Sequence, residues 1–281
     1  MKGKTCVITG ATDGIGLEAA ARLGALGARL VLVGRNRTKG DAALATLRTR
    51  VPGVVVDMHY ADLSRQDEIR RLAPELLATA PRIDVLINNA GGFFEKREIT
   101  VDGIERTFAL NHLGYFLLTE LLRERIVASA PARIVNVSSG AHRRATLDFA
   151  DLQTARSYSG WKSYQRSKLC NILFTRELAR RLAGTGVTAN SLHPGLVASS
   201  FGDNNRGPMG LAFRVAKRFI GLSVEAGAET PVYLASSSEV EGITGLYFGK
   251  CKADLPSVAA QDDEVASRLW RESAALTGLQ S

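Results

Sequence analysis

The chain has 281 residues, 45% of them hydrophobic and 23% charged, enough apolar material for one large core and too much for a disordered segment. Its 36 basic and 28 acidic side chains leave a formal charge of +8, but the surplus is mostly arginine dispersed along the chain, so nucleic-acid binding is not expected. Three distant cysteines (Cys6, Cys170, Cys251) and four histidines (His59, His112, His142, His193) form no C-x-x-C pair and no metal-ligand spacing, which argues against a disulfide scaffold or a structural metal. Met1-Lys2-Gly3-Lys4 leads within a few residues into a strand-like run, and no apolar stretch reaches the roughly 18 residues of a membrane span. A reducing, cytoplasmic setting is the expectation.

In chain order, short apolar runs alternate with longer helical patterns. Strands are predicted at Thr5–Thr9, Leu30–Val33, Val54–His59, Val85–Asn88, Ile134–Val137, Val187–Leu192 and Gly245–Phe248. Helices are predicted at Gly14–Leu26, Thr38–Arg50, Arg65–Ala80, Val101–Ala128 and Tyr164–Ala183. The alternation predicts an α/β fold: a doubly wound, Rossmann-type parallel sheet of about seven strands with helices on both faces. No linker or repeat divides the chain, so residues 1–281 are read as a single domain.

The first predicted strand runs into Thr9-Gly10-Ala11-Thr12-Asp13-Gly14-Ile15-Gly16 and then a helix. Glycines there let the backbone approach a pyrophosphate, and free N–H groups at the helix start attract its charge. The spacing is G-x-x-x-G-x-G, not G-x-G-x-x-G, so the usual fingerprint applies by analogy. The second strand ends in Gly34-Arg35-Asn36-Arg37, where an NAD enzyme commonly places a carboxylate for the ribose hydroxyl. Arg35 instead suits the 2′-phosphate of NADP, so NADP is expected ahead of NAD. Asp62 and Leu63 follow the third strand, where a short polar side chain can meet an adenine edge, and Asn88-Asn89-Ala90-Gly91 closes the fourth.

Ser138-Ser139 follows the fifth strand, and Tyr164-x-x-x-Lys168 places a phenol and an ammonium one helical turn apart. A free tyrosine titrates near 10 and is about 0.1% ionised at pH 7, so a nearby cation that lowers its pKa favours the phenolate. Such a phenol can protonate a nascent alkoxide, with a serine hydroxyl positioning the same oxygen. Alone, Y-x-x-x-K is also common on solvated helices.

Thr9–Gly16, Asn88–Gly91, Asn111, Ser139, Tyr164, Lys168 and Pro194-Gly195, in this order, resemble the short-chain dehydrogenase/reductase family. Asn111–Thr119, Arg133–Ser139, Ser167–Asn171, Leu246–Phe248 and Arg268–Ser273 are similar to its retinol-dehydrogenase-like branch. The resemblance implies an enzyme that moves a hydride between NADP and the carbonyl or alcohol carbon of a hydrophobic substrate, in the cell as a reductase. It assigns Tyr164 as general acid/base, Lys168 as the group that lowers the tyrosine pKa and holds the nicotinamide ribose, and Ser139 as the substrate-oxygen ligand in preference to Ser138. Asn111 is expected to kink its helix around a water that links Lys168 to solvent. The implied cofactor contacts are Gly10, Thr12, Asp13, Gly14, Ile15, Gly16, Arg35, Asp62, Leu63, Asn89, Ala90, Gly91, Tyr164, Lys168, Pro194, Gly195, Val197 and Ser199. Ser199 stands where the family often has threonine and keeps the hydroxyl. Asp13 stands where Asn or Ser is frequent; it would repel phosphates unless it faces the backbone as a helix N-cap.

Residues 201–222 include an amphipathic, basic stretch, Met209–Leu222, expected as a substrate lid; weak contact with an anionic membrane surface or a second subunit is the other use of such a helix. Trp161 and Tyr158 line the substrate pocket or pack in the core. His112 and His142 are not expected to act as acid or base. The resemblance favours a homodimer or homotetramer through the two long helices. The rival functions are a cofactor sensor or scaffold that has lost catalysis, and a non-redox isomerase; intact Asn111, Ser139, Tyr164 and Lys168 favour the enzyme.

Overall fold

The computed structural model describes residues 1–197 and 221–280. Strand β1 (Thr5–Thr9) leads to α1 (Gly14–Ala25), β2 (Arg29–Gly34), α2 (Arg37–Arg50), β3 (Val56–Tyr60), α3 (Gln66–Thr79) and β4 (Val85–Asn88). Helix α4 starts as Arg106–Phe108, passes through a π-turn at Ala109–Leu113 and continues as Gly114–Ala128. Then come β5 (Ala132–Val137), α5 (Gly160–Arg181), β6 (Val187–His193), α6 (Val224–Ser236), β7 (Tyr247–Gly249), β8 (Lys252–Asp254) and α7 (Asp263–Leu276).

Among the described residues the sheet has eight strands in the order β3-β2-β1-β4-β5-β6-β7-β8. The first seven are parallel, as the alternation of strands and helices predicts, while β8 turns back antiparallel on β7. Lys250 and Cys251, both at positive φ, form that turn and carry no glycine signal to announce it. The central strands β1, β2 and β4 are buried along nearly their whole length and mostly apolar because both their faces are covered. On β1 and β2, Val7, Val31 and Val33 point to one core layer, and Cys6, Ile8, Leu30 and Leu32 to the other.

Helix α4 begins five residues later than the predicted Val101, because Ile99 and Glu105 pair in an antiparallel bridge before it. The buried Glu105 carboxylate then accepts from the Thr107 and Phe108 amides, 2.8 and 2.9 Å away, satisfying two of the donors a helix start leaves open. The final helix α7 lies over α5. Its Trp270 stacks on Phe174 with centroids 5.8 Å apart and meets Phe116 edge-on at 4.9 Å, while Arg181 covers the indole. The outer faces of the two long helices are thus partly sealed within the chain. Among the described residues no helix is long and apolar enough to cross a membrane.

Candidate active site

The strand order reverses between β1, which is followed through β2 and β3 on one side, and β4, which opens the other. Crevices at the carboxyl ends of strands on either side of such a switch are where open α/β sheets take ligands. A cavity of about 1080 Å³ occupies that place here. It is lined by every site residue expected from the sequence except Asn111 and Ser199, the latter lying outside the described residues, as do 201–220 of the expected lid. The bounds of that segment meet at the cavity: Leu222 donates its amide to the Leu196 carbonyl at 2.7 Å, and Val197 bridges Leu222.

The glycine turn is built by close approach. Gly10 has φ +64°, and a Cβ there would come within 2.7 Å of the Ala90 Cα; one at Gly16 would overlap the Gly10 carbonyl oxygen. Asn89 fixes the turn through its Nδ2, which donates to the carbonyls of Thr9 (2.9 Å) and Gly10 (3.1 Å). The Thr9 hydroxyl accepts in return from the amides of Asn89 and Ala90. Asp13 occupies the N-cap position in extended conformation, but its carboxylate makes no cap bond to the helix; it accepts from Lys39 Nζ at 2.8 Å, so a cation from α2, not the backbone, offsets its charge.

Arg35 is exposed at the far end of the cavity, its Nη1 3.6 Å from Asp62 Oδ2. Burial pushes the Asp62 carboxyl up, but hydrogen bonds from the Ser64 hydroxyl (2.7 Å) and amide (3.0 Å), with Arg35 and Arg106 nearby, hold it below the usual carboxylate range. Gly34 leaves room for Thr12, whose methyl would overlap any Cβ there. Lys39, Arg106, Phe94 and Leu110 also line the cavity and were missed in the sequence, because nothing local marks them as site residues; Leu196 lines it too, between the expected Gly195 and Val197.

At the other end, Ser159 caps α5, and Tyr164 and Lys168 follow on one face of it. Lys168 Nζ donates to the Val137 carbonyl at 3.1 Å and sits 5.7 Å from the Tyr164 ring centroid and 5.8 Å from that of Tyr115. Burial pushes the Tyr164 phenol up to about 12, against a hydrogen bond with the Ser139 side chain that favours its ionisation. Burial likewise brings the Lys168 ammonium down to about 7. The expected depression of the tyrosine pKa is therefore not what burial leaves. Each charge is costly here alone, and the phenolate gains from the ammonium only when both form together. Ser138 gives its hydroxyl to the Lys168 carbonyl at 2.7 Å, whereas Ser139 stands beside the phenol.

Asn111 lies one layer behind the cavity, in the π-turn that interrupts the α-helical hydrogen bonding of α4. Its Oδ1 accepts from the Gly92 amide (2.8 Å), and its Nδ2 donates to the Gly92 carbonyl (2.9 Å) and Ser167 Oγ (3.0 Å). It ties the end of β4 to the turn of α5 that carries Lys168. Trp161 lines the cavity and stacks on Tyr164 with centroids 5.7 Å apart. Tyr158 does not line it; its hydroxyl donates to the Phe94 carbonyl at 2.8 Å. His112 is wholly buried, 2.8 Å from Ser273 Oγ, and burial brings it down to about 3, so it remains neutral.

The glycine turn at the start of α1, a cation at one end and a phenol–ammonium pair at the other fit a dinucleotide with a substrate beside it. The comparisons agree. Residues 4–209 match the short chain dehydrogenase family, to which the chain belongs. It is an NAD(P)-dependent dehydrogenase/reductase acting on CH–OH or C=O groups. Among its relatives, retinol dehydrogenase 14 of Homo sapiens is 44% identical over 295 residues, covering 99% of this chain and 88% of the relative. Retinol dehydrogenase 12 of Mus musculus is 43% identical over 278 residues, covering 99% and 87%. A crystal structure of an uncharacterised protein from Mycobacterium paratuberculosis superposes with a TM-score of 0.80 at 32% identity, covering 99% of this chain and 95% of that one. A gluconate 5-dehydrogenase-like protein from Beutenbergia cavernae with bound NADP gives 0.71 at 26% identity, covering 89% and 96%.

Proposed function

We propose that the chain reduces the carbonyl group of a hydrophobic small molecule with NADPH, Tyr164 giving the proton. The observation that carries this reading is the meeting of Ser139, Tyr164 and Lys168 in the same cavity as the glycine turn and Arg35. Gly10, Thr12, Gly14, Ile15 and Gly16 would hold the pyrophosphate, and Arg35 the 2′-phosphate, with Lys39 beside it. Asp62 and Leu63 would flank the adenine, Asn89 to Gly91 and Lys168 the nicotinamide ribose, and Pro194, Gly195 and Val197 the nicotinamide itself. The chemistry the cofactor supplies when bound is hydride transfer.

The protein's own task is the proton and the alignment. Ser139 Oγ donates to the substrate oxygen and holds it at the phenol. Tyr164, pushed up to about 12, is fully protonated at neutral pH and is an acid in waiting, which favours reduction. Once the proton has left, the ammonium of Lys168 stabilises the phenolate across the ring edge. Phe94, Leu110, Trp161 and Leu196 give the cavity apolar walls, which favour a hydrophobic substrate. The test is oxidation of NADPH and NADH with a panel of hydrophobic aldehydes and ketones. Turnover preferring NADPH, abolished in Tyr164→Phe while cofactor binding persists, is expected. Turnover that survives Tyr164→Phe would refute the proton assignment, and preference for NADH would refute the role of Arg35.

A further inference from the structure

Ser139 opens a short 3₁₀ turn, Gly140–Arg144, and its hydroxyl is only loosely engaged there, accepting from the Ala141 amide at 3.2 Å. The backbone beneath it is held from another side. His142, whose ring is completely buried, places Nδ1 2.7 Å from the Ser139 carbonyl oxygen and Nε2 3.1 Å from the Ser257 amide nitrogen. An amide N–H can only donate, so Nε2 carries the lone pair, the ring proton resides on Nδ1, and that N–H donates to Ser139. Tyr247 of β7 packs edge-on against the ring with centroids 4.9 Å apart. Charged neighbours stand around it: Arg143 bonds Asp254 at 2.7 Å and the Leu255 carbonyl at 2.9 Å, and His193 Nε2 lies 3.7 Å from Asp254. Burial keeps the imidazole below the usual histidine range, so it is neutral near pH 7.

We propose that His142 is a positioning residue for the reaction: as a neutral Nδ1–H tautomer clamped to Ser257, it fixes the carbonyl of Ser139 and through it the aim of the Ser139 hydroxyl at the substrate oxygen. The inference rests on the reading of Ser139 and Tyr164 given above. It assigns the segment after β8 a part in the active site although no residue of that segment lines the cavity.

Two substitutions separate the two ring nitrogens. His142→Asn retains a donor at the Nδ1 position and loses the acceptor; His142→Gln retains an acceptor at the Nε2 position and loses the donor. With NADPH and the best substrate of the panel, His142→Gln is expected to lower kcat about ten- to hundredfold, the loss of one well-placed hydrogen bond felt in the transition state, while His142→Asn stays within about threefold of wild type. Cofactor affinity, read by fluorescence titration, should change in neither. Ser257→Pro supplies a third variant that leaves the ring intact: Ser257 has φ −61°, which proline accepts, and the change deletes the N–H on Nε2 together with a buried hydroxyl that makes no hydrogen bond. A kcat within about threefold of wild type, as in His142→Asn, with unaltered cofactor affinity is expected there, because the Nδ1–H donor to Ser139 remains. Equal losses in the Asn and Gln variants, or full activity in His142→Gln, would overturn the proposal. Tyr164→Phe runs alongside: if it is active, the reading of the site fails, and if it is inert while His142→Gln keeps the wild-type kcat, only the role of His142 fails.

Discussion

Replacing Lys168 by methionine should abolish turnover and yet stabilise the fold, with a pH dependence that identifies the cause. The ammonium is buried at the end of β5, and burial lowers its pKa from 10.5 to about 7. Between those values the unfolded chain binds the proton and the folded chain does not, so stability rises with pH across the window from about 7 to 10.5. At about 1.4 kcal/mol per pH unit the cost of burying this one group at neutral pH has a ceiling of about 5 kcal/mol. Its hydrogen bond to the Val137 carbonyl goes with it, but that oxygen keeps the Asn171 amide at 3.2 Å, so about 1–2 kcal/mol is returned at most. Lys168→Met should therefore be more stable than wild type by about 3–4 kcal/mol at pH 7, with the advantage gone near pH 10.5, where only the lost hydrogen bond remains. Urea unfolding of both proteins at pH 6, 7, 8.5 and 10, without cofactor, measures this. A variant less stable than wild type at pH 7, or a difference that does not change with pH, would refute the reasoning.

Arg35→Ala should raise the KM for NADPH about ten- to hundredfold through loss of a charge-assisted contact and leave that for NADH nearly unchanged. Steady-state kinetics with both cofactors checks it; a parallel rise for both would mean that Arg35 acts on the loop and not on a phosphate. Glu105→Ala should cost about 1–3 kcal/mol, read from the urea midpoint, because the amides of Thr107 and Phe108 lose their acceptor at a buried helix start.

Local pattern carries much of this molecule. The ends of β1 and β4 fall where the apolar runs end, and Tyr164 and Lys168 meet because a helix brings i and i+4 to one face. Non-local pairing is what the pattern leaves out. Asp13 was expected to repel phosphates unless its side chain capped the helix; it makes no cap bond, and Lys39, 26 residues on, pairs with it. Only the family resemblance pointed to an interruption of the helix at Asn111; the residues around it carry no local sign that its side chain bonds Gly92 and Ser167. The hydrophobic periodicity of residues 101–128 likewise ran past the bridge between Ile99 and Glu105, since five further residues fitted the period without belonging to the helix. Trp161 was undecided between core and pocket; half-buried, it lines the cavity and stacks on Tyr164.

The aromatic seal of Trp270 over Phe116 and Phe174 has a consequence in time as well as in space. It joins residues separated by roughly 150 positions, and its last member is made well after the other two. A ribosome-bound chain can assemble the sheet from β1 to β6 well before α7 emerges, and through that interval the groove between the two long helices is open. A chain cut short before residue 263 keeps it open permanently, offering Phe116 and Phe174 to any chaperone or to a neighbouring chain. In the folded chain Trp270 closes that groove with Arg181 over the indole, so helix α7 sets the moment at which the nascent enzyme ceases to be sticky.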